Sequence, residues 1–198
     1  PYIPAASGMI STSWNCSTVE SLKTAGKKVY FTLGGADYSG GFESAISNNL
    51  NTFVANIVNQ INSCDFDGVD IDWEYPNATG QAAKFKTFLT ALREKMNSEA
   101  AGAKISIDVP TQWLDNEWGA EPFEVGSSVY DHADYINVMN YDDYRTSTKP
   151  NHSGWVKSYD NMEFWLKRVP AAKLVMGVPF YGRPVTGEKV LNYSQTWA

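Results

Sequence analysis

Residues 66–76 read Phe-Asp-Gly-Val-Asp-Ile-Asp-Trp-Glu-Tyr-Pro and place four acids, Asp67, Asp70, Asp72 and Glu74, within eight residues. From Val69 to Glu74, apolar and acidic residues alternate. A strand repeats every two residues, so Asp70, Asp72 and Glu74 share one face while Val69, Ile71 and Trp73 share the other. Three carboxylates aimed at one place repel each other and lose hydration, an arrangement that stability alone would avoid. Trp73 and the apolar face argue for burial rather than a solvated edge strand. Perturbed carboxylate clusters concentrate at functional sites, so the stretch reads as a site. Asp67 precedes the strand on the opposite parity and reads as a turn-fixing residue.

Working outward, strand-like and helix-like runs alternate. Residues 27–33, 104–110, 135–141 and 173–181 are rich in β-branched, aromatic and aliphatic side chains and read as strands. Residues 42–62 carry Phe42, Ala45, Ile46, Leu50, Phe53, Val54, Ile57, Val58 and Ile61 near helical spacing. Residues 81–101 and 155–169 read as helices, 17–25 as a short one, and 122–131 as the start of another with Pro near its first turn. Alternation of this kind means parallel βαβ units. Gly34-Gly35, Glu74, Tyr141-Asp142 and Tyr181 fall at the C-terminal ends of several strands, the signature of a (β/α)8 (TIM) barrel. Five strands are clear, six if the N-terminal Tyr2-Ile3-Pro4 contributes, whereas a full barrel has eight and about 250 residues. The expected class is therefore α/β, a partial TIM-type barrel in a single domain.

The chain has 198 residues, is 43% hydrophobic and includes seven Trp, enough for one sizeable core. Its net charge of -6 and the absence of a basic run argue against nucleic acid or an anionic membrane as partner. No apolar stretch approaches the ~20 residues of a membrane span. The chain starts at Pro1 without an initiator Met or a signal-peptide pattern, as a processed or truncated product would. Cys16 and Cys64 could form one disulfide or remain two buried thiols. Asn15, Asn77, Asn151 and Asn192 each begin an Asn-x-Ser/Thr acceptor, which points towards a secreted glycoprotein. Two histidines and no Cys/His ligand spacing give no reason to expect a metal.

Asp-Gly-Val-Asp-Ile-Asp-Trp-Glu-Tyr-Pro at 67–76 resembles the D-x-x-D-x-D-x-E motif of glycoside hydrolase family 18, the chitinases and their relatives. Thr-Leu-Gly-Gly at 32–35, Met-Asn-Tyr-Asp at 139–142 and Met-Gly-Val-Pro-Phe-Tyr-Gly-Arg at 176–183 are similar to further family motifs, in matching order and spacing. The resemblance implies a secreted, monomeric, cofactor-free enzyme that cleaves β-1,4-linked N-acetylglucosamine in chitin or its oligosaccharides. It implies a retaining, substrate-assisted mechanism in which the N-acetyl oxygen of the sugar is the nucleophile. Glu74 would be the general acid, Asp72 would orient the acetamido group, and Asp70 would share a proton with Asp72. Tyr141 would donate a hydrogen bond to the N-acetyl oxygen. Asp142, Met139, Tyr181, Arg183, Gly34 and Gly35 would line the substrate pocket, although Met139 reads equally well as core. A cis bond is implied at or near Glu74–Tyr75.

Sugars stack on flat rings, so Trp113, in the loop after the fifth family strand, is a candidate platform, ahead of Trp118 and Trp155. Trp73 and Trp165 read as core. Thr32 stands where the family has serine, with a hydroxyl that can still reach Asp70. Asp108 occupies a position that is usually small in the family and, if inward, adds a fourth acid that needs a partner. The tyrosine of the family's first strand and the tryptophan of its eighth have no counterpart in the sequence. Retention of Glu74 favours an enzyme over a non-hydrolytic chitin-binding, lectin-like relative. An inactive piece of an active parent and an endo-β-N-acetylglucosaminidase are the remaining readings.

Overall fold

The computed structural model describes residues 1–13, 15–76, 80–111, 128–142, 152–183 and 191–192. The chain opens with a short antiparallel pair, β1 (Ile3–Pro4) and β2 (Ile10–Ser11), followed by helix α1 (Ser17–Thr24). Then come β3 (Tyr30–Gly34), α2 (Phe42–Cys64), β4 (Gly68–Asp72), α3 (Gln81–Glu99) and β5 (Lys104–Val109). A 3-10 turn at Ser128–His132 precedes β6 (Tyr135–Val138), and α4 (Trp155–Leu166) precedes β7 (Leu174–Met176). A last antiparallel pair joins β8 (Tyr181–Gly182) to β9 (Leu191–Asn192).

Strands β3 to β7 form one parallel sheet in chain order, as the alternation predicts, and make a partial (β/α)8-type barrel. Tyr2 extends the sheet past β3. Its N–H donates to the Thr32 carbonyl and its carbonyl accepts from the Gly34 N–H, both at 2.9 Å. At the other edge, Val175, Met176, Val178 and Phe180 are exposed.

The outward face of the sheet carries the core. Leu33, Val69, Ile71, Ile105, Ile107, Ile136 and Val138 are buried there with Phe53, Ile57 and Val58 of α2 and Phe88, Leu89 and Leu92 of α3. Each such side chain contributes roughly 1.5–3 kcal/mol through burial. Trp73 stacks on Phe42 at 5.3 Å, and Trp165 is fully buried with its indole N–H on the Pro110 carbonyl; both are core, as read. Cys16, just before α1, is bonded to Cys64 at the end of α2, which resolves the open cysteine alternative as a disulfide.

Several boundaries differ from the periodicity. Strand β4 ends at Asp72, so Trp73 and Glu74 lie beyond it, and the Glu74–Tyr75 peptide is cis. Strand β6 stops at Val138, ahead of the 139–142 motif. Strand β7 covers three residues where 173–181 reads as strand: the Gly177 N–H still bonds the Val138 carbonyl at 2.8 Å, but Pro179 has no N–H for a ladder. Helix α2 is interrupted at Asn49, whose side-chain Nδ2 donates to the Ala6 carbonyl at 2.9 Å. The start of the helix expected at 122–131 lies outside the described residues, and its end is the 3-10 turn. Asp67 fixes the turn before β4 as expected. It accepts from the Val29 N–H at 2.8 Å and from Lys28 Nζ at 3.0 Å.

Candidate active site

The site is built at the carboxyl ends of β3, β4 and β6, where the packing of β3 on β4 is unusually close. Gly34 has φ +107°, and a Cβ there would sit 2.2 Å from the Asp72 carbonyl oxygen. Only glycine allows that approach. The Gly35 N–H then reaches the same carbonyl at 2.8 Å. The Ser39 hydroxyl lies within hydrogen-bonding distance of the Asp72 and Gly35 carbonyls and accepts the Glu74 N–H at 2.9 Å. Ser39 thus ties the backbone of Glu74 to the β3 loop. Nothing in its sequence context marks it, because its partners are backbone atoms, and two of them, on Asp72 and Glu74, are more than thirty residues away.

Asp70 sits at the centre of a cross-strand network. Its Oδ1 accepts from Ser106 Oγ at 2.5 Å and Asn137 Nδ2 at 3.0 Å, and its Oδ2 accepts from Thr32 Oγ1 at 3.1 Å. The Thr32 bond is the one expected from sequence. Ser106 and Asn137 were not singled out, although their parity within 104–110 and 135–141 places them inward and could have found them. Register aligns Thr32, Asp70 and Ser106 across three strands and Asp108 with Asn137 across two.

The carboxyl of Asp72 is in hydrogen-bonding reach of Glu74. Burial first, then repulsion from Glu74 and Asp70, pushes its pKa up to about 7. Among the described residues, Asp72 Oδ1 is buried with no hydrogen-bond partner. A buried polar atom without a partner is costly, and such a group at a cluster of acids suits a ligand donor. Asp70 acts on Asp72 through its charge, and Asp72 is also in hydrogen-bonding reach of Glu74, as Asp70 is of Asp108. Asp70 lies one pleat below Asp72 on the same face, close enough for charge repulsion, and Asp108 stands on the adjacent strand two residues beyond Ser106, the register partner of Asp70.

Tyr141 projects to the same cluster. Burial, then the charges of Asp108, Asp72, Glu74 and Asp142, raises its pKa to about 12, so it remains a phenol O–H donor at neutral pH. Tyr75 is also held above the usual phenol range, by burial and then by Glu74. Gly177 leaves room for the Tyr141 ring, since a Cβ there would lie 3.1 Å from Tyr141 Cε1.

A second charged cluster stands beside the first. Asp142, with φ 55°, accepts Arg183 Nε on Oδ1 at 2.7 Å and Nη2 on Oδ2 at 2.6 Å, and the Tyr181 hydroxyl on Oδ2 at 2.8 Å. Burial works to raise the Asp142 pKa, but Arg183 and then Tyr181 outweigh it and hold it below the usual carboxylate range. The Asp142 N–H donates to His152 Nδ1 at 3.1 Å, a partner that sequence reasoning missed. The Tyr181 ring lies 5.1 Å from the His152 ring and 6.0 Å from that of Tyr141. Met139 is partly buried just past β6, and its N–H bonds the Val109 carbonyl at 2.9 Å.

The structure thus brings together Asp70, Asp72, Glu74 and Tyr141, with Gly34 and Gly35 beneath them and Asp142, Tyr181 and Arg183 alongside. Trp113 and Trp118 lie outside the described residues. Trp155 opens α4 and is 81% exposed, available to a ligand but bound to nothing in the core. Among the described residues, no group of three or more His, Cys, Asp or Glu side chains could hold a metal ion.

Comparison with known proteins agrees with this geometry. Chitinase 1 of Aphanocladium album is 33% identical over 179 residues, covering 79% of this chain and 41% of that protein. Among solved structures, a chitinase from Rhizomucor miehei superposes with a TM-score of 0.76 at 27% identity, over 92% of this chain and 61% of the other. A chitinase from Chromobacterium violaceum gives 0.81 at 22% identity, over 99% and 65%, and speaks for the fold. The chain spans less than half the length of the curated relatives it matches. A sequence profile of the glycosyl hydrolases family 18 matches residues 7–197, nearly the whole chain. With the acid row at the end of β4, the parallel half-barrel and this match all in agreement, the chain belongs to glycosyl hydrolases family 18.

Proposed function

We propose that the protein hydrolyses β-1,4 linkages between N-acetylglucosamine units in chitin, with retention of anomeric configuration, and that residues 1–198 form part of one secreted, monomeric catalytic domain. The observation that carries this reading is the Asp72–Glu74 pair beside the unpartnered Asp72 Oδ1. A carboxyl pair that holds one proton near neutral pH can supply it to a leaving oxygen. Glu74, outermost of the acids, donates that proton to the glycosidic oxygen. The same step leaves Asp72 as an anion whose free oxygen accepts the acetamido N–H and stabilises the cationic ring formed when the acetamido oxygen attacks the anomeric carbon. Asp70 holds the cluster in place through Thr32, Ser106 and Asn137.

Tyr141 donates to the N-acetyl oxygen, which keeps that oxygen oriented for attack. Asp142, kept anionic by Arg183, together with Tyr181, Met139, Gly34 and Gly35, lines the sugar-binding side, and Trp113 offers a stacking face. No cofactor or metal enters these steps. The Asn-x-Ser/Thr acceptors, with Asn15 exposed, support secretion and glycosylation. The test is release of chromophore from a chromogenic chitobioside by the purified protein, with Glu74→Gln as control. Turnover abolished by that substitution supports the proposal. Binding to chitin beads without turnover by the unsubstituted protein overturns it in favour of a lectin-like role.

A further inference from the structure

Asp108 is an inward acid for which the mechanism above has no use. It sits on β5 two residues beyond Ser106, the residue that bonds Asp70, and in register with Asn137 of β6. Its carboxyl is in hydrogen-bonding reach of both the Asp70 carboxyl and the Asn137 amide. From β4 it faces Asp70 and Asp72; from the segment after β6 it faces Tyr141. No described cation is among the groups acting on it. Two carboxyls in contact away from water cannot both be ionised cheaply, so one proton stays between them.

The donors around Asp70 show where that proton resides. Its two oxygens already accept from Thr32, Ser106 and Asn137. Three donors, the Asn137 amide among them, are aimed at Asp70 and favour it as the anion, which leaves Asp108 as the acid.

We propose that Asp108 is a positioning residue that stays protonated at neutral pH and donates its carboxyl O–H to Asp70. Asp70 then has no need of the proton of Asp72, which is left to be shared with Glu74. The four acids work as two pairs, Asp108 with Asp70 and Asp72 with Glu74, in place of a single relay running up one strand. Burial first, then repulsion from Asp70 and Asp72, moves the pKa of Asp108 up to about 9, in line with this protonation.

The catalytic consequence rests on the proposed chitinase activity, but the protonation does not, and two measurements separate them. The folded protein keeps a proton that the unfolded chain releases near pH 4, so folding weakens as pH rises between those limits. Denaturant unfolding is followed from pH 6 to 8 for the unsubstituted protein, Asp108→Asn and Asp108→Ala. Each variant is expected to lose one proton from the slope, so that over those two pH units its folding equilibrium constant falls about a hundredfold less than that of the unsubstituted protein. Equal slopes overturn the proposal. In turnover of the chitobioside, Asp108→Asn, which keeps a neutral donor to Asp70, is expected to retain kcat within about threefold. Asp108→Ala should lose tenfold or more in kcat with little change in KM. Equal kcat for the two variants overturns the positioning role. If no variant turns over and the unsubstituted protein does not either, the chitinase reading fails while the unfolding slopes still decide the protonation of Asp108.

Discussion

Gly34→Ala and Gly35→Ala form a matched pair, because both glycines hold the same sparsely populated backbone region, φ +107° and +115°. Alanine at either position meets a conformational penalty of roughly 1–2 kcal/mol. Their surroundings differ. At Gly35 an added Cβ would lie 3.7 Å from Asp72 Oδ2, an ordinary contact. At Gly34 it would lie 2.2 Å from the Asp72 carbonyl oxygen, against the 3.4 Å at which ordinary contact begins, so the ends of β3 and β4 must part by about 1.2 Å. That movement stretches the 2.8 Å bond from the Gly35 N–H to Asp72, whose loss costs a further ~1–3 kcal/mol. Gly34→Ala should therefore destabilise by about 2–5 kcal/mol and Gly35→Ala by about 1–2 kcal/mol. Because Asp72 moves with its strand, Gly34→Ala should also lower kcat on chitobioside by about 10²-fold, the typical cost of a 1 Å misplacement. Urea unfolding and steady-state kinetics on the two variants check both figures. Equal stability losses for the pair would refute the close-approach reasoning, since the backbone penalty alone would then account for both.

Ser39→Ala removes the acceptor of the Glu74 N–H and should cost about 1–3 kcal/mol, with a drop in kcat that Ser39→Thr partly restores; unfolding and turnover measure the two effects. Arg183→Leu should cost about 2 kcal/mol, allowing for the partial exposure of the pair. The lowered pKa of Asp142 stabilises the fold above the unfolded carboxylate range and is lost as pH falls through the folded value, so acid unfolding of Arg183→Leu should begin at higher pH. Asp72, with its pKa raised to about 7, behaves in the opposite sense. Turnover should fall as pH rises past about 7 and the Asp72–Glu74 pair gives up its proton, and a kcat profile that stays flat from pH 6 to 9 would exclude that pair as the proton source.

Much of the architecture was legible in the sequence because period decides which way a side chain points. The alternation at 69–74 put Asp70 and Asp72 on the inward face and Trp73 in the core, and the helical spacing of 42–62 identified α2. Boundaries were less legible. Strand β4 stops at Asp72, where its carbonyl accepts from the Gly35 N–H and lies within hydrogen-bonding distance of the Ser39 hydroxyl, contacts between segments that periodicity does not report.

By itself, the sequence determined the parallel α/β class, the inward acids and the family, since each depends on residue order along one segment or on a motif within it. The tertiary structure alone decided the partners. Thr32, Ser106 and Asn137 meet at Asp70 from three other strands, Arg183 reaches Asp142 across 41 residues, and Cys16 finds Cys64. Parity names the face on which a carboxyl lies, but sheet register sets which neighbour comes within hydrogen-bonding reach. The register partner of Asp70 on β5 is Ser106, which bonds it, and Asp108, two residues further on, joins the inward acids from that strand.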